Sequence, residues 1–125
     1  MRPVIHMAGF LGVCGAPVFV SEDKIPDFMV NSYARADSLT SKFVGNPDAT
    51  VVLQQSHGFT AVGKDLAQAV YRAIYTQENA KVLTNAKILS EKIHFLTARN
   101  VEACTKMNDA AALKAFADWQ AKLRR

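Results

Sequence analysis

Cysteine is scarce in this chain. The two cysteines, Cys14 and Cys104, are far apart in the sequence and do not form a Cys-x-x-Cys pair. This spacing excludes a disulfide framework and a structural zinc knuckle. We therefore expect both thiols to be reduced and buried, as is typical of a protein in a reducing compartment such as the cytoplasm.

Long hydrophobic runs are also absent. Uninterrupted apolar stretches of about 18 residues do not occur, so we expect no membrane span. One alternative stays open at the start of the chain, because Arg2 followed by the apolar stretch 4–20 is similar to a secretory signal peptide. Glycines, a proline and His6 interrupt that stretch, and it lacks a clean small-x-small cleavage site.

Charge gives no sign of a nucleic-acid partner. Basic residues outnumber acidic ones by 15 to 11, but they are scattered, and only Lys122, Arg124 and Arg125 lie close together. Proteins that bind nucleic acid usually show a basic stripe or interleaved aromatic residues. We therefore expect a solvated basic surface.

The 125 residues, half of them hydrophobic, have the size and composition of one globular domain. Periodicity, caps and breakers predict alternating strands and helices. The predicted strands or extended segments cover 3–7, 17–20, 50–55 and 59–63, and the predicted helices or turns cover 8–15, 27–30, 34–44, 65–93, 97–104 and a last helix capped by Asn108. This order is typical of an α/β or α+β layered domain.

The two C-terminal helical regions carry apolar residues at helical spacing. In the helix 65–93 we expect Leu66, Val70, Ala73, Ala80 and Leu83 to face a sheet, and Arg72, Lys81 and Lys87 to face water. The predicted apolar stripe of the last helix consists of Ala112, Phe116, Trp119 and Leu123.

The dipeptide His57-Gly58 is the strongest candidate for chemistry. It lies between two short β-prone runs, which predicts a hairpin turn that holds the imidazole still and leaves it free to coordinate. A catalytic zinc site needs three protein ligands, however, and one imidazole does not make one. The alternative is a histidine that only forms hydrogen bonds in its turn.

The other candidates favour structural roles. We expect His6 to be structural and His94 to lie on the surface, and their spacing from His57 does not favour a shared zinc site. Glu78 could support a second shell around His57, or simply mark the polar flank of its helix. Tyr71 and Tyr75, four residues apart, form a predicted packing pair, and Cys14 is expected to be an unperturbed thiol because nothing basic flanks it.

Several segments together resemble the class II aldolase/adducin family. They are Arg2-Pro3-Val4-Ile5-His6-Met7-Ala8-Gly9-Phe10-Leu11-Gly12, Gly15-Ala16-Pro17-Val18-Phe19, Asn46-Pro47-Asp48-Ala49, Val51-Val52-Leu53, Ser56-His57-Gly58-Phe59, Val62-Gly63, Ala69-Val70-Tyr71-Arg72-Ala73-Ile74-Tyr75 and Glu78-Asn79-Ala80. The likeness covers most of the chain, to about Ala80. It implies a three-layer α/β/α fold around a mostly antiparallel sheet.

The same resemblance implies a zinc-dependent lyase that makes or breaks carbon–carbon bonds in small sugar phosphates or related hydroxy-acids. His57 matches the third zinc-binding histidine of the family. A metal held by neutral imidazoles acts as a Lewis acid on the oxygens of the substrate. Met7 stands where some sugar-phosphate aldolases carry a proton-donating tyrosine, and a thioether has no transferable proton.

The resemblance also implies that residues 1–125 form one partial domain, the C-terminal part of the family fold. The family's His-x-His ligand pair, its acid/base glutamate and its phosphate-binding loops lie upstream of the matching segments. We therefore expect this chain to be a part of a zinc lyase that is inactive alone and whose substrate is a small molecule. We also expect it to form a homo-oligomer or to associate with a missing N-terminal half, because a divided sheet exposes its edges. The alternatives are a non-catalytic adducin-like interaction module and a small secreted protein.

Overall fold

The computed structural model describes residues 1–20 and 30–124. Most of the helical turn expected at 27–30 lies outside these described residues. A 3-10 helix spans His6–Leu11. The other elements are β1 (Val18–Phe19), α1 (Tyr33–Val44), β2 (Val51–Gln54), β3 (Gly58–Ala61), α2 (Leu66–Leu89) and α3 (Ala98–Leu123). In the described part of the chain, no helix is both long and apolar enough to cross a membrane.

The three strands form a small mixed sheet in the order β1-β2-β3. β1 runs parallel to β2, with Val18 opposite Leu53, and α1 lies between them in the chain. β2 and β3 are antiparallel, with Leu53 opposite Phe59, which confirms the predicted hairpin. The mixed α/β class is therefore confirmed, whereas the described residues give one parallel and one antiparallel pair and not a mostly antiparallel sheet.

The start of the chain packs into the core without joining the sheet. Residues 1–5 are irregular or extended, as expected, but form no ladder, and the 3-10 helix follows from His6. Its residues Ala8 to Leu11 are buried. Gly9 lies so close to α3 that a Cβ atom there would come within 2.9 Å of the Cys104 Cβ atom. The small side chains of this segment therefore let its backbone approach the helix closely.

Helix α2 has the predicted start but a different inner face. Its N-cap is Asp65, whose side chain accepts a hydrogen bond from the Gln68 N–H at 2.8 Å. Leu66, expected in the core, is 67% exposed. The buried residues of α2 are Ala67, Gln68, Tyr71, Thr76 and Asn79. The inner face is partly polar because Asn79 hydrogen-bonds to the backbone of the first residues and Gln68 accepts from the Lys64 N–H at 2.8 Å.

Helix α3 corrects the prediction of two short helices. Thr97 caps its start as expected, accepting from the Asn100 N–H at 3.3 Å, but the helix continues without a break to Leu123. Asn108, the predicted second cap, is buried in mid-helix and donates through Nδ2 to the His6 carbonyl at 2.9 Å. Its amide meets a distant backbone group instead of its own helix. At the other end of the predicted stripe, Leu123 is 87% exposed.

An aromatic cluster joins α2 and α3. The rings of Tyr71 and Tyr75 lie 4.5 Å apart, which confirms the predicted packing pair, and each lies 6.4 Å from the Trp119 ring. Phe10 contacts Tyr71 edge-on from the 3-10 helix at 6.4 Å. This cluster connects the first segment and both long helices in one hydrophobic core.

Candidate functional site

His57 lies in the turn between β2 and β3, as the sequence predicts. Residues 55–57 form the turn, Ser56 adopts a positive φ of 58°, and the His57 N–H donates to the Gln54 carbonyl at 3.1 Å. Across the hairpin, the Gln54 side-chain amide donates to the Thr60 hydroxyl at 2.6 Å. Hydrogen bonds within the turn and across the hairpin thus fix the backbone that carries His57, whereas the His57 side chain is exposed.

The turn occupies the carboxyl edge of the parallel strands. Gln55 donates its N–H to the Phe19 carbonyl at 3.0 Å, so the ends of β1 and β2 lie side by side next to His57. In open α/β sheets, ligands bind outside the carboxyl ends of the strands. The edge of the sheet that carries His57 is therefore a better candidate for a ligand site than the opposite edge, where the parallel strands begin.

The other two histidines do not join His57. His6 begins the 3-10 helix and His94 lies in the connection between α2 and α3, and both side chains are exposed. His94 is a surface residue, as expected, although α2 ends before it. Within 1–20 and 30–124, no three histidine, cysteine, aspartate or glutamate side chains lie close enough to hold a metal ion. His57 is suited to supply one ligand, but the described residues of this chain do not fit a metal on their own.

Two further expectations concern Cys14, Cys104 and Glu78. Cys104 is buried and Cys14 is exposed, and both are free thiols, so the expectation that both are buried is wrong for Cys14. Glu78 forms an ion pair with Lys81 at 2.7 Å on the partly exposed flank of α2. This is the polar-flank arrangement and not a contact with His57.

A cavity of the described chain lies at the opposite end of the sheet. It has a volume of about 490 Å³ and is lined by the turn of Gly12–Gly15, the loop 45–49, Pro17 and Val101. Pro17 and Ala49 precede β1 and β2, whereas His57 follows β2. Ala49 lies six residues before Gln55, where the turn that carries His57 begins, which is roughly 20 Å at about 3.3 Å per residue. Because it lies so far from His57, we do not assign the cavity to the same site.

Sequence reasoning missed the buried amides of α2, one of which positions the start of the chain. Asn79 is fully buried, and its Oδ1 accepts from the N–H groups of Val4 and Ile5 at 2.8 and 3.3 Å. Its Nδ2 donates to the Arg2 carbonyl at 3.0 Å. Asn79 and Gln68 share the inward face of α2 with Tyr71 and Tyr75. Polar residues in phase with an apolar stripe are the signal that could have identified them.

Arg72 also departs from its predicted place in water. Its side chain is half-buried and donates through Nη1 to the Val62 carbonyl at 2.6 Å, where the chain leaves β3. Burial lowers the pKa of Arg72, and the nearby carboxylates of Asp109 and Asp65 oppose that shift. Arg72 therefore joins the end of the hairpin to α2.

The sequence of this chain matches a known protein family and is similar to a curated protein. The sequence model of the class II aldolase and adducin N-terminal domain matches residues 7–84. A relative named decarboxylase tropJ, from Talaromyces stipitatus, is 28% identical over 148 residues, which cover 95% of this chain and 52% of that protein. The chain thus spans about half the length of this curated relative.

Proposed function

This chain belongs to the class II aldolase and adducin family, and from that premise we propose that it is part of a metal-dependent carbon–carbon lyase. The observation that carries the proposal is the exposed imidazole of His57 in a braced turn at the carboxyl edge of β1 and β2. The remaining metal ligands have to come from outside the described residues.

The proposed reaction is the cleavage of a carbon–carbon bond in a small acid, by loss of carbon dioxide from a β-keto acid or by an aldol-type split of a β-hydroxy carbonyl compound. Both reactions leave an electron pair on a carbon next to a carbonyl group, so both need positive charge at the carbonyl oxygen. In the complete site, a bound divalent metal would supply that charge. The decarboxylase name of the Talaromyces relative supports an acid substrate. Met7 argues against the sugar-phosphate aldolases that carry a proton-donating tyrosine at this position, because a thioether cannot donate a proton.

A non-catalytic interaction module is the second candidate. One observation favours it, since no group of three ligands converges among residues 1–20 and 30–124. The two candidates differ in whether His57 binds metal once the rest of the fold is present.

Zinc retention tests the proposal. The chain is purified alone and co-expressed with the segment of the Talaromyces decarboxylase outside the match, loaded with zinc, desalted and analysed by mass spectrometry for metal. We expect essentially no zinc on the chain alone, because one imidazole is a weak site, and about one zinc per complex, with carbon dioxide released from a panel of keto- and hydroxy-acids.

The matched variants are His57→Ala and His94→Ala, since both side chains are exposed. We expect His57→Ala to abolish zinc retention by the complex and His94→Ala to leave it unchanged. A complex that retains no zinc would support the interaction module. Zinc retained equally by both variants would show that His57 is not a ligand.

A further inference from the structure

A side-chain hydrogen bond crosses the hairpin directly beside the turn that carries His57. Gln54, the last residue of β2, lies opposite Gly58. Thr60 lies two residues further along β3, opposite Val52. Residues two apart on a strand point to the same face of the sheet, so Gln54 and Thr60 form a diagonal pair that a long side chain can span. The Gln54 Nε2 atom donates to the Thr60 hydroxyl at 2.6 Å.

The conformation of the turn depends on contacts around it. Ser56 adopts a left-handed φ of 58°, which is uncommon for a residue other than glycine. Such backbone conformations persist where the surrounding structure holds them in place. The Gln54 carbonyl accepts from the His57 N–H at 3.1 Å, and the Gln54 side chain is bonded to Thr60. Gln54 therefore closes the turn through its backbone and joins it to β3 through its side chain.

The hydrogen bond between Gln54 and Thr60 also fixes the register of the two strands. None of the four residues of β3 is buried in the part of the chain that the structure describes, so burial there does little to select one register. A shift of one residue would turn Thr60 to the other face of the sheet and separate it from Gln54. The hydrogen bond is therefore compatible only with the pairing that places His57 in the turn.

The position of the imidazole follows from this backbone. The His57 side chain is exposed, so its place is set by the turn that carries it and not by packing around the ring. Metal sites depend on groups that orient the ligands without being ligands themselves, and loss of such a group typically costs about 10- to 100-fold in metal affinity. Thr60 is such a group, because it acts on His57 through Gln54.

We propose that Gln54 and Thr60 are positioning residues of the lyase site, whose hydrogen bond holds the turn in the conformation that presents His57 to the metal. The metal in this inference rests on the proposed function. The hold on the turn rests on the hydrogen bond across the hairpin.

Amide hydrogen exchange of the isolated chain tests the hold on the turn without any metal. Thr60→Val removes the hydroxyl and nearly keeps the shape of the side chain, whereas Thr60→Ser keeps the hydroxyl. By NMR of the nitrogen-15-labelled chain, we expect the His57 amide to exchange about tenfold faster in Thr60→Val and at an unchanged rate in Thr60→Ser. Gln54→Leu should match Thr60→Val. The double variant should be no faster than either single variant, because both remove the same hydrogen bond.

Zinc affinity tests the consequence for the metal. The chain is co-expressed with the segment of the Talaromyces decarboxylase outside the match, and zinc is titrated against a competing chelator where circular dichroism shows every variant to be folded. We expect Thr60→Val to weaken zinc binding about tenfold and Thr60→Ser to stay within about twofold of the unmodified complex. Thr105→Val is the matched control, because it removes a hydroxyl that donates to the Val101 carbonyl at 2.8 Å within α3. It should leave zinc affinity unchanged.

The outcomes separate this inference from the proposed function. Zinc binding by the unmodified complex that Thr60→Val does not weaken, or a His57 amide that Thr60→Val does not accelerate, would overturn the positioning role and leave the lyase standing. An equal loss of zinc affinity in Thr105→Val would show general destabilisation and would also overturn it. An unmodified complex that retains no zinc would contradict the lyase, and faster exchange of the His57 amide in Thr60→Val would then still support the hold on the turn.

Discussion

Replacing Asn79 by alanine should cost this protein a large part of its stability. The Asn79 side chain is fully buried and is the partner of three backbone groups, the N–H groups of Val4 and Ile5 and the carbonyl of Arg2. The hydrogen bonds at 2.8 and 3.0 Å have good lengths, and the one to Ile5 at 3.3 Å is weaker. Alanine cannot make any of them.

The expected magnitude follows from the groups left without a partner. A buried donor or acceptor that loses its hydrogen bond costs about 1–3 kcal/mol. Because alanine removes two strong hydrogen bonds, while Val4 and Ile5 are only half-buried, we expect the free energy of unfolding to fall by about 3 kcal/mol. For a domain of this size, that lowers the melting temperature by roughly 10 °C.

The assay is urea and thermal unfolding followed by circular dichroism, with two further variants. Asn85→Ala, at an exposed position of the same helix, should change stability by no more than about 0.5 kcal/mol. Asn79→Asp, at neutral pH, should destabilise at least as much as Asn79→Ala, because it buries a carboxylate charge that faces the Arg2 carbonyl and cannot donate to it. If Asn79→Ala melts within about 2 °C of the unmodified chain, well below the shift expected for one lost buried hydrogen bond, the buried amide does not hold the first segment.

Three other predictions concern the core. Burial, and to a smaller extent the neighbouring Tyr75, raises the pKa of Tyr71 to about 12. The neutral phenol therefore stabilises the fold fully below about pH 10, and this stabilisation is lost as the pH rises from about 10 towards 12. In Tyr71→Phe, the free energy of unfolding measured across that range should fall less steeply with pH than in the unmodified chain. Gly9→Ala should destabilise the fold by about 1–3 kcal/mol in urea, because the new methyl group overpacks against Cys104; stability equal to that of the unmodified chain would mean that the 3-10 helix shifts freely. Cys14 should react with a thiol reagent in the native protein, and Cys104 only after urea is added; two equally fast thiols would contradict the burial of Cys104.

Local signals in the sequence determined the hairpin and the starts of the helices. Asp65 and Thr97 each cap a helix by accepting a hydrogen bond from the N–H of the residue three positions further along the chain. The turn before Gly58 is closed by the hydrogen bond from the His57 N–H to the Gln54 carbonyl. These two caps and this turn depend on neighbouring residues alone, so the sequence predicts them. His57 could be identified as a turn residue for the same reason.

Tertiary structure decided which polar side chains enter the core and how distant strands pair. Asn79 and Asn108 find their partners 75 and 102 residues away, at Val4 and His6, so no local rule distinguishes them from surface amides or helix caps. The parallel pairing of β1 with β2 likewise depends on contacts between distant segments. Because a hydrogen bond to a distant backbone group forms only after the chain has folded, the burial of Asn79 and the continuity of α3 through Asn108 could be read only from the folded chain.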